Sequence, residues 1–235
     1  MAAIAVISDI HGNLPALTAA LDYLDKQNPD LWICLGDIVG YGPNPSECIE
    51  VIRERNIPTV MGNHDAGVSG KLSTKFFKNP NRALIEITQN LLKEDQIQWL
   101  RNLPYIIENK DLDFIVAHAN PVFPEKWEYI DSAIKARSIL KNLDFSLCLI
   151  GHTHIPAIIP DQIGINGFVK GNKYIINPGS IGQSRDGDFR ASCCLIDTEE
   201  ASVKIERLEY NIEKVLYDLT ELGFSRKEAH HLMRY

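Results

Sequence analysis

The chain reads as an α/β protein in which one sheet, parallel in its early strands and antiparallel in its late ones, is layered by helices. Two patterns predict this class. Through the first half, short continuous apolar runs alternate with segments of helical periodicity, as strand–helix–strand units require. From about residue 155 the texture changes to short apolar runs separated by Gly-containing turn pairs, which suits antiparallel strands. Composition agrees: 45% hydrophobic and 23% charged residues among 235 supply enough apolar surface for a core and exclude disorder. No Pro/Gly/Ser linker or internal repeat divides the chain, so one domain over 1–235 is expected.

Ala3–Ser8 is a continuous apolar run, as in a strand buried on both faces. Asn13 then offers an N-cap and Pro15 fits the first turn, with Leu14, Leu17, Leu21 and Leu24 at helical spacing. Asn28-Pro29 stops that helix, and Leu31–Leu35 is the next strand. Asn44-Pro45 opens a second helix in the same way, with Cys48, Ile49 and Ile52 as its apolar stripe. Thr59–Met61 predicts a short third strand. Residues 66–103 form a helical excursion over the cleft. A strand follows at Asp113–His118, then a helix capped by Asp131 and running to about Leu143, then a strand at Leu147–Ile150. Gly171-Asn172 and Asp186-Gly187 suit tight hairpins. C-terminal helices occupy 211–235, where Ser225-Arg226-Lys227-Glu228 fits a capping box.

The balance of 24 Lys+Arg against 31 Asp+Glu, a net charge of −7, argues against broad electrostatic capture of double-stranded nucleic acid or an anionic membrane. No apolar stretch approaches the ~20 residues of a membrane span, and the first apolar run lacks the basic residues of a signal peptide. A cytoplasmic location is therefore expected. Five cysteines, odd in number and without C-x-x-C spacing, read as small buried hydrophobes.

The informative residues lie just beyond the apolar runs. Asp9 and His11 follow the first (SDIHGN), and Asp37 follows the second (LGDIVGYGPNP). Asn63, His64 and Asp65 follow the third (MGNHD), His118 ends the fourth, and His152 and His154 follow the fifth (GHTH). In open α/β sheets the crevice beyond the carboxyl ends of the strands binds ligands. Five segments thus deliver Asp, Asn and His to one rim, a donor set suited to divalent Mn, Fe, Zn, Ni or Co. Asp9-Ile10-His11 and His152-Thr153-His154 have i, i+2 spacing, which on extended backbone points both side chains the same way. Each motif alone is equally a turn or a cap; their recurrence at five strand ends is what favours a metal site.

Taken in order, D-x-H, G-D, G-N-H-D, a later His and G-H-x-H resemble the calcineurin-like metallophosphoesterases. GDIVGYGPNP and NPGSIGQSRDGD look like the small bacterial phosphodiesterase branch. The resemblance covers Ile4 to about Asp197. It implies a four-layer α/β/β/α sandwich of two mixed β-sheets flanked by helices, and two divalent metal ions, with Mn first on donor hardness. By that resemblance Asp9, His11 and His154 bind one ion, Asn63, His118 and His152 the other, and Asp37 bridges them. A dinuclear-metal-activated hydroxide is then the nucleophile, and His64 protonates the leaving group. Asp65 could hold the His64 imidazole in its useful tautomer. Arg185 is a candidate phosphate contact and Asn63 a candidate substrate contact. His118 is followed by Ala119 where the family usually has Gly, an added strain if the backbone there has positive φ.

The expected activity is phosphodiester hydrolysis of a small phosphate ester, nucleotide-like compounds included. Two alternatives stay open: a phosphomonoesterase acting on a nucleotide, small phosphate or phosphoprotein, and a non-catalytic scaffold of the same fold. The intact Asn63-His64-Asp65 speaks against the scaffold.

Overall fold

A computed structural model describes residues 3–77, 81–165 and 167–235. Among the described residues the strands are β1 (Ala3–Ile7), β2 (Leu31–Cys34), β3 (Ile106–Asn109), β4 (Phe114–Ala117), β5 (Leu147–Leu149), β6 (Ala157–Pro160), β7 (Tyr174–Asn177), β8 (Ala191–Asp197) and β9 (Ser202–Leu208). They form two sheets, ordered β2-β1-β8-β9 and β3-β4-β5-β7-β6. Pairing is mixed in both: β1–β2, β4–β5 and β5–β7 are parallel, and the remaining neighbours antiparallel.

Strand periodicity explains how the two sheets stack. Alternate residues of a strand face opposite sides. Ile4, Val6, Cys194 and Ile196 of one sheet meet Phe114, Val116, Leu147, Leu149, Tyr174 and Ile176 of the other in a single buried cluster. Burying each such large side chain contributes roughly 1.5–3 kcal/mol, so this layer holds the sheets face to face. The intervening residues serve the outer layers. Ala5, Ile7 and Cys193 pack under α1 (Leu14–Asp25) and α2 (Pro45–Glu54). Ile115, Cys148 and Ile175 pack under α6 (Ala133–Leu140). The order α/β/β/α follows.

Several local expectations change. Thr59–Met61 reduces to one parallel bridge, Cys34–Thr59, because the Met61 N–H turns away to the Pro104 carbonyl. Early pairing is not wholly parallel, since the unanticipated β3 forms an antiparallel hairpin with β4. The helix after Asp131 is capped by Ser132, whose hydroxyl accepts from Lys135 N–H. Asn13 caps α1 as expected, accepting from Ala16 N–H, whereas the Asn44 side chain makes no capping bond. Asp186-Gly187 lies in the crossover from β7 to β8, and the β8–β9 hairpin closes through 198–201.

The 66–103 excursion begins within α3 (Asn63–Val68) and continues through α4 (Asn81–Leu91) and α5 (Glu94–Arg101); residues 78–80 fall outside the described residues. In the tail, α7 (Ile212–Glu221) and α8 (Arg226–Met233) pack Leu216, Leu219, Leu232 and Met233 against Tyr41 and Leu84. Among the described residues no helix is long and apolar enough to cross a membrane.

Candidate metal centre

The loops leaving the carboxyl ends of β1, β2, β4 and β5, with the segment ending at Met61, carry the Asp, Asn and His residues to one place. Asp9 N–H donates to Gly36 O at 3.0 Å, and His11 N–H to Asp37 O at 2.9 Å, so the first two loops are zipped together. The paired ligands converge by a route other than the extended backbone anticipated. Asp9, His11, Asp37, His152 and His154 all have left-handed backbone, with φ of 52°, 50°, 52°, 67° and 60°. Such conformations cost about 1–3 kcal/mol each in non-glycine residues and persist where the surroundings impose them. Gly62 shows the crowding: a Cβ there would land on the Asp37 carboxylate. Ala119, by contrast, is not among the positive-φ residues, so the alanine imposes no left-handed strain.

Three imidazoles are oriented by main-chain carbonyls. His118 Nδ1 lies 2.7 Å from Leu35 O, His11 Nδ1 3.1 Å from Val39 O, and His154 Nδ1 2.5 Å from Gln183 O. A carbonyl only accepts, so each Nδ1 donates, which leaves each Nε2 as the inward atom that can ligate once it carries no proton. His11 Nε2 and His154 Nε2 face one another at 3.1 Å, and His154 Nε2 stands 3.2 Å from Asp9 Oδ1. His118 Nε2 lies 3.3 Å from Asp37 Oδ2 and 3.2 Å from His152 Nδ1. Asp9 is aimed by its other oxygen, which accepts from Ser8 Oγ at 2.6 Å and His152 N–H at 3.1 Å.

The result is two overlapping groups of buried donors, Asp9/His11/Asp37/His154 and Asp37/His118/His152. Within each group the ligand atoms lie within 4.8 Å of one another, and Asp37 belongs to both. Asp9 Oδ1, Asn63 Oδ1 and His152 Nε2 are buried with no hydrogen-bond partner. Facing ring nitrogens and orphaned oxygens are unfavourable without a cation, so the residues present fit a dinuclear divalent site. Their electrostatics point the same way. Burial opposes ionisation of Asp37, but His118 and His64 nearby hold its carboxyl well below the usual carboxylate range. Burial also opposes a charged His118, yet Asp37 and Asp9 raise it to about 9. Burial pushes His152 down to about 3.

His64 is the second residue of α3, and its N–H donates to Asp37 Oδ1 at 2.8 Å. Its ring is held between His11 and Tyr41, at centroid distances of 4.9 and 4.7 Å, with Phe77 at 5.7 Å. Its Nδ1 is buried without a partner, and burial pushes the imidazole down to about 4. Asp65 does not hold that ring. Its Oδ2 accepts from Asp37 N–H at 2.8 Å and Gly62 N–H at 3.0 Å. Its Oδ1 accepts from Ile38 N–H at 3.0 Å and Val39 N–H at 3.3 Å. Burial, then the charge of Asp37, pushes Asp65 up to about 7. Yet four N–H donors on two oxygens accommodate only the ionised form, so Asp65 fastens the Asp37 loop to α3.

Arg185 lies at the rim, with Nε and one amino group each 3.3 Å from Gln183 Oε1 and the other amino group 3.4 Å from Tyr129 Oη. Sequence reading missed the supports: Ser8, Gln183 and Tyr129, whose ring stacks on His152 at 4.1 Å. Ser8 adjoins a motif and could have been suspected. Gln183 and Tyr129 reach the site only through tertiary structure.

A model of the calcineurin-like phosphoesterase family matches residues 2–156. A metallophosphoesterase structure from Sphaerobacter thermophilus superposes with a TM-score of 0.82 at 37% identity, covering 98% of this chain and 97% of the other. An uncharacterized protein of Methanocaldococcus jannaschii is 41% identical over 90% of this chain and 89% of its own length. A symmetrical bis(5'-nucleosyl)-tetraphosphatase of Actinobacillus pleuropneumoniae is 30% identical over 58% of this chain; the match spans 52% of that enzyme, about half its length.

Proposed function

The chain belongs to the calcineurin-like phosphoesterases, and from that premise we propose that it is a metal-dependent phosphodiesterase. The observation that carries the reading is the sharing of Asp37 between two buried donor groups. In this reading Asp9, His11 and His154 would hold one ion and Asn63, His118 and His152 the other, with Asp37 available to both. Manganese is proposed for this set of Asp and Asn oxygens mixed with four imidazoles, with Fe, Zn, Ni or Co as alternatives. When bound, two divalent ions polarise the phosphoryl oxygens and activate a water for in-line attack.

The chain's own residues supply the rest. Arg185 contacts the phosphoryl oxygens from the rim, where Gln183 limits its freedom. His64 faces the leaving oxygen. An anionic substrate draws a proton onto its buried ring, and that imidazolium, low in pKa through burial, readily hands the proton on. Tyr41, an aromatic ring rather than a cation, stands beside His64 at 4.7 Å, which suits the second organic group of a diester. The tetraphosphatase relative favours a nucleotide-like substrate. We take residues 1–235 as one cytoplasmic unit.

The test is direct. With manganese at one pH, kcat/KM for bis(p-nitrophenyl) phosphate should exceed that for p-nitrophenyl phosphate. A clear monoester preference would replace the diesterase by a phosphomonoesterase on the same site.

A further inference from the structure

Beside the metal centre runs a cleft of about 530 Å³ that no step of the proposed chemistry occupies. Tyr129, Thr153, Ile155, Arg185 and Arg234 line it, with Asp131 among the remaining lining residues. It opens directly from the site, because Tyr129 stacks on His152 and Thr153 lies between His152 and His154. Its walls are unusual in two respects. Tyr129 and Ile155 are each 46% exposed, so large apolar side chains face solvent next to a strongly polar centre. Two arginines share the cleft, and neither forms a direct ion pair among the described residues. Asp131 is the single acid among the lining residues, so the two guanidiniums leave the cleft with an excess of positive charge.

Arg234 comes from a distant part of the sequence. It caps α8 with a left-handed φ of 60°, and α8 is tied to the site because Gln183 Nε2 donates to Leu232 O. A neighbouring hollow is lined by Tyr41, Gln183 and Arg234 together, and Arg185 bonds Gln183, so both guanidiniums stand near the ring that borders His64. The cleft therefore offers a second cation beyond Arg185, followed by an aromatic and an aliphatic wall. A plain diester with one phosphate has no charge to set against the second cation.

We propose that this cleft is a subsite for a substrate carrying a second phosphate next to the scissile one, with Arg234 binding the second phosphate and Tyr129 and Ile155 packing the organic group beyond it. The substrate class is then a phosphoanhydride-linked, nucleotide-like ester. The inference rests on the phosphodiesterase reading and adds Arg234 as a specificity determinant.

The experiment compares diadenosine tetraphosphate with bis(p-nitrophenyl) phosphate on the manganese-loaded full chain, wild type and Arg234→Gln, with metal content measured in parallel. Wild type should favour the tetraphosphate at least tenfold in kcat/KM. Arg234→Gln should lower the tetraphosphate value about ten- to hundredfold, as expected for a lost charge-assisted contact, with a much smaller loss on the single-phosphate diester and unchanged metal content. Arg234→Lys should recover part of the difference. Arg234→Gly, which tolerates positive φ, replaces the Gln variant if that one misfolds. Equal losses on both substrates, or no loss on the tetraphosphate, would overturn the subsite. So would a wild type that cleaves only the single-phosphate diester. A wild type inert toward both would overturn the phosphodiesterase reading and the subsite with it.

Discussion

Asp65→Asn replaces one acceptor oxygen by an amide nitrogen in a place where only acceptors fit. The carboxylate takes two backbone N–H groups on each oxygen, at 2.8 and 3.0 Å on one and 3.0 and 3.3 Å on the other. Whichever way the carboxamide turns, its NH2 faces two buried N–H donors, and a rotation cannot relieve both pairs. Leaving a buried donor unsatisfied costs about 1–3 kcal/mol, so two give about 2–6 kcal/mol. That is a large share of the roughly 5–15 kcal/mol that holds a domain folded. At a urea slope of about 2 kcal/mol/M the unfolding midpoint should fall by about 1–3 M. Unfolding is followed by circular dichroism after chelator treatment, so that metal loss does not confuse the reading. Because the same four bonds hold the Asp37 loop, manganese affinity at 25 °C should fall as well. A midpoint within about 0.2 M of wild type, with only kcat impaired, would refute this and return Asp65 to the service of His64.

His64→Ala should lower kcat by roughly 10²–10⁴ on substrates with poor leaving groups while metal content by elemental analysis stays intact; a metal-free variant would make His64 a ligand. Asp37→Ala should lose metal, since both donor groups share that carboxylate, and a fully loaded variant would remove the bridge. His118 is raised to about 9 in the metal-free chain, so it is protonated at neutral pH and an incoming ion must displace that proton. Manganese affinity should therefore climb with pH toward about 9 and weaken toward 7. Calorimetry at pH 7.5 in two buffers of different ionisation heat should show about one proton released per site formed, and none released would contradict it.

What could be read in advance followed the range of the interactions. The donors stand within a few residues of strong apolar runs, so Asp9, His11, Asp37, His118, His152 and His154 were legible as one rim before any coordinates. The strand Ile106–Asn109 was not, because its run is short and abuts the helical excursion; only pairing with β4 settles it as a strand. The role of Asp65 was misread for a related reason. Adjacency to His64 suggests a side-chain contact, whereas α3 turns the carboxylate back onto main-chain groups some 26–28 residues earlier. Tyr129 and Arg234 carry no local signal at all, since each reaches the centre through a loop or helix whose course depends on the whole core, and Gln183 lies in a recognised motif that does not show which ring its carbonyl holds.

The three rings pinned by Leu35, Val39 and Gln183 carbonyls have a consequence for metal traffic. An exposed histidine releases an ion by swinging aside, one ligand at a time, as fast as its side chain can rotate. Here a ring can turn only by breaking a buried bond to the main chain, and the loops that bear the donors are themselves zipped together and in strained conformations. Departure of an ion then awaits an opening of the loops, which is far slower than rotation of a ring. A cage of this kind would exchange its ions slowly, and the ion carried by an isolated sample would then report the supply present when the chain folded more than the order of equilibrium affinities.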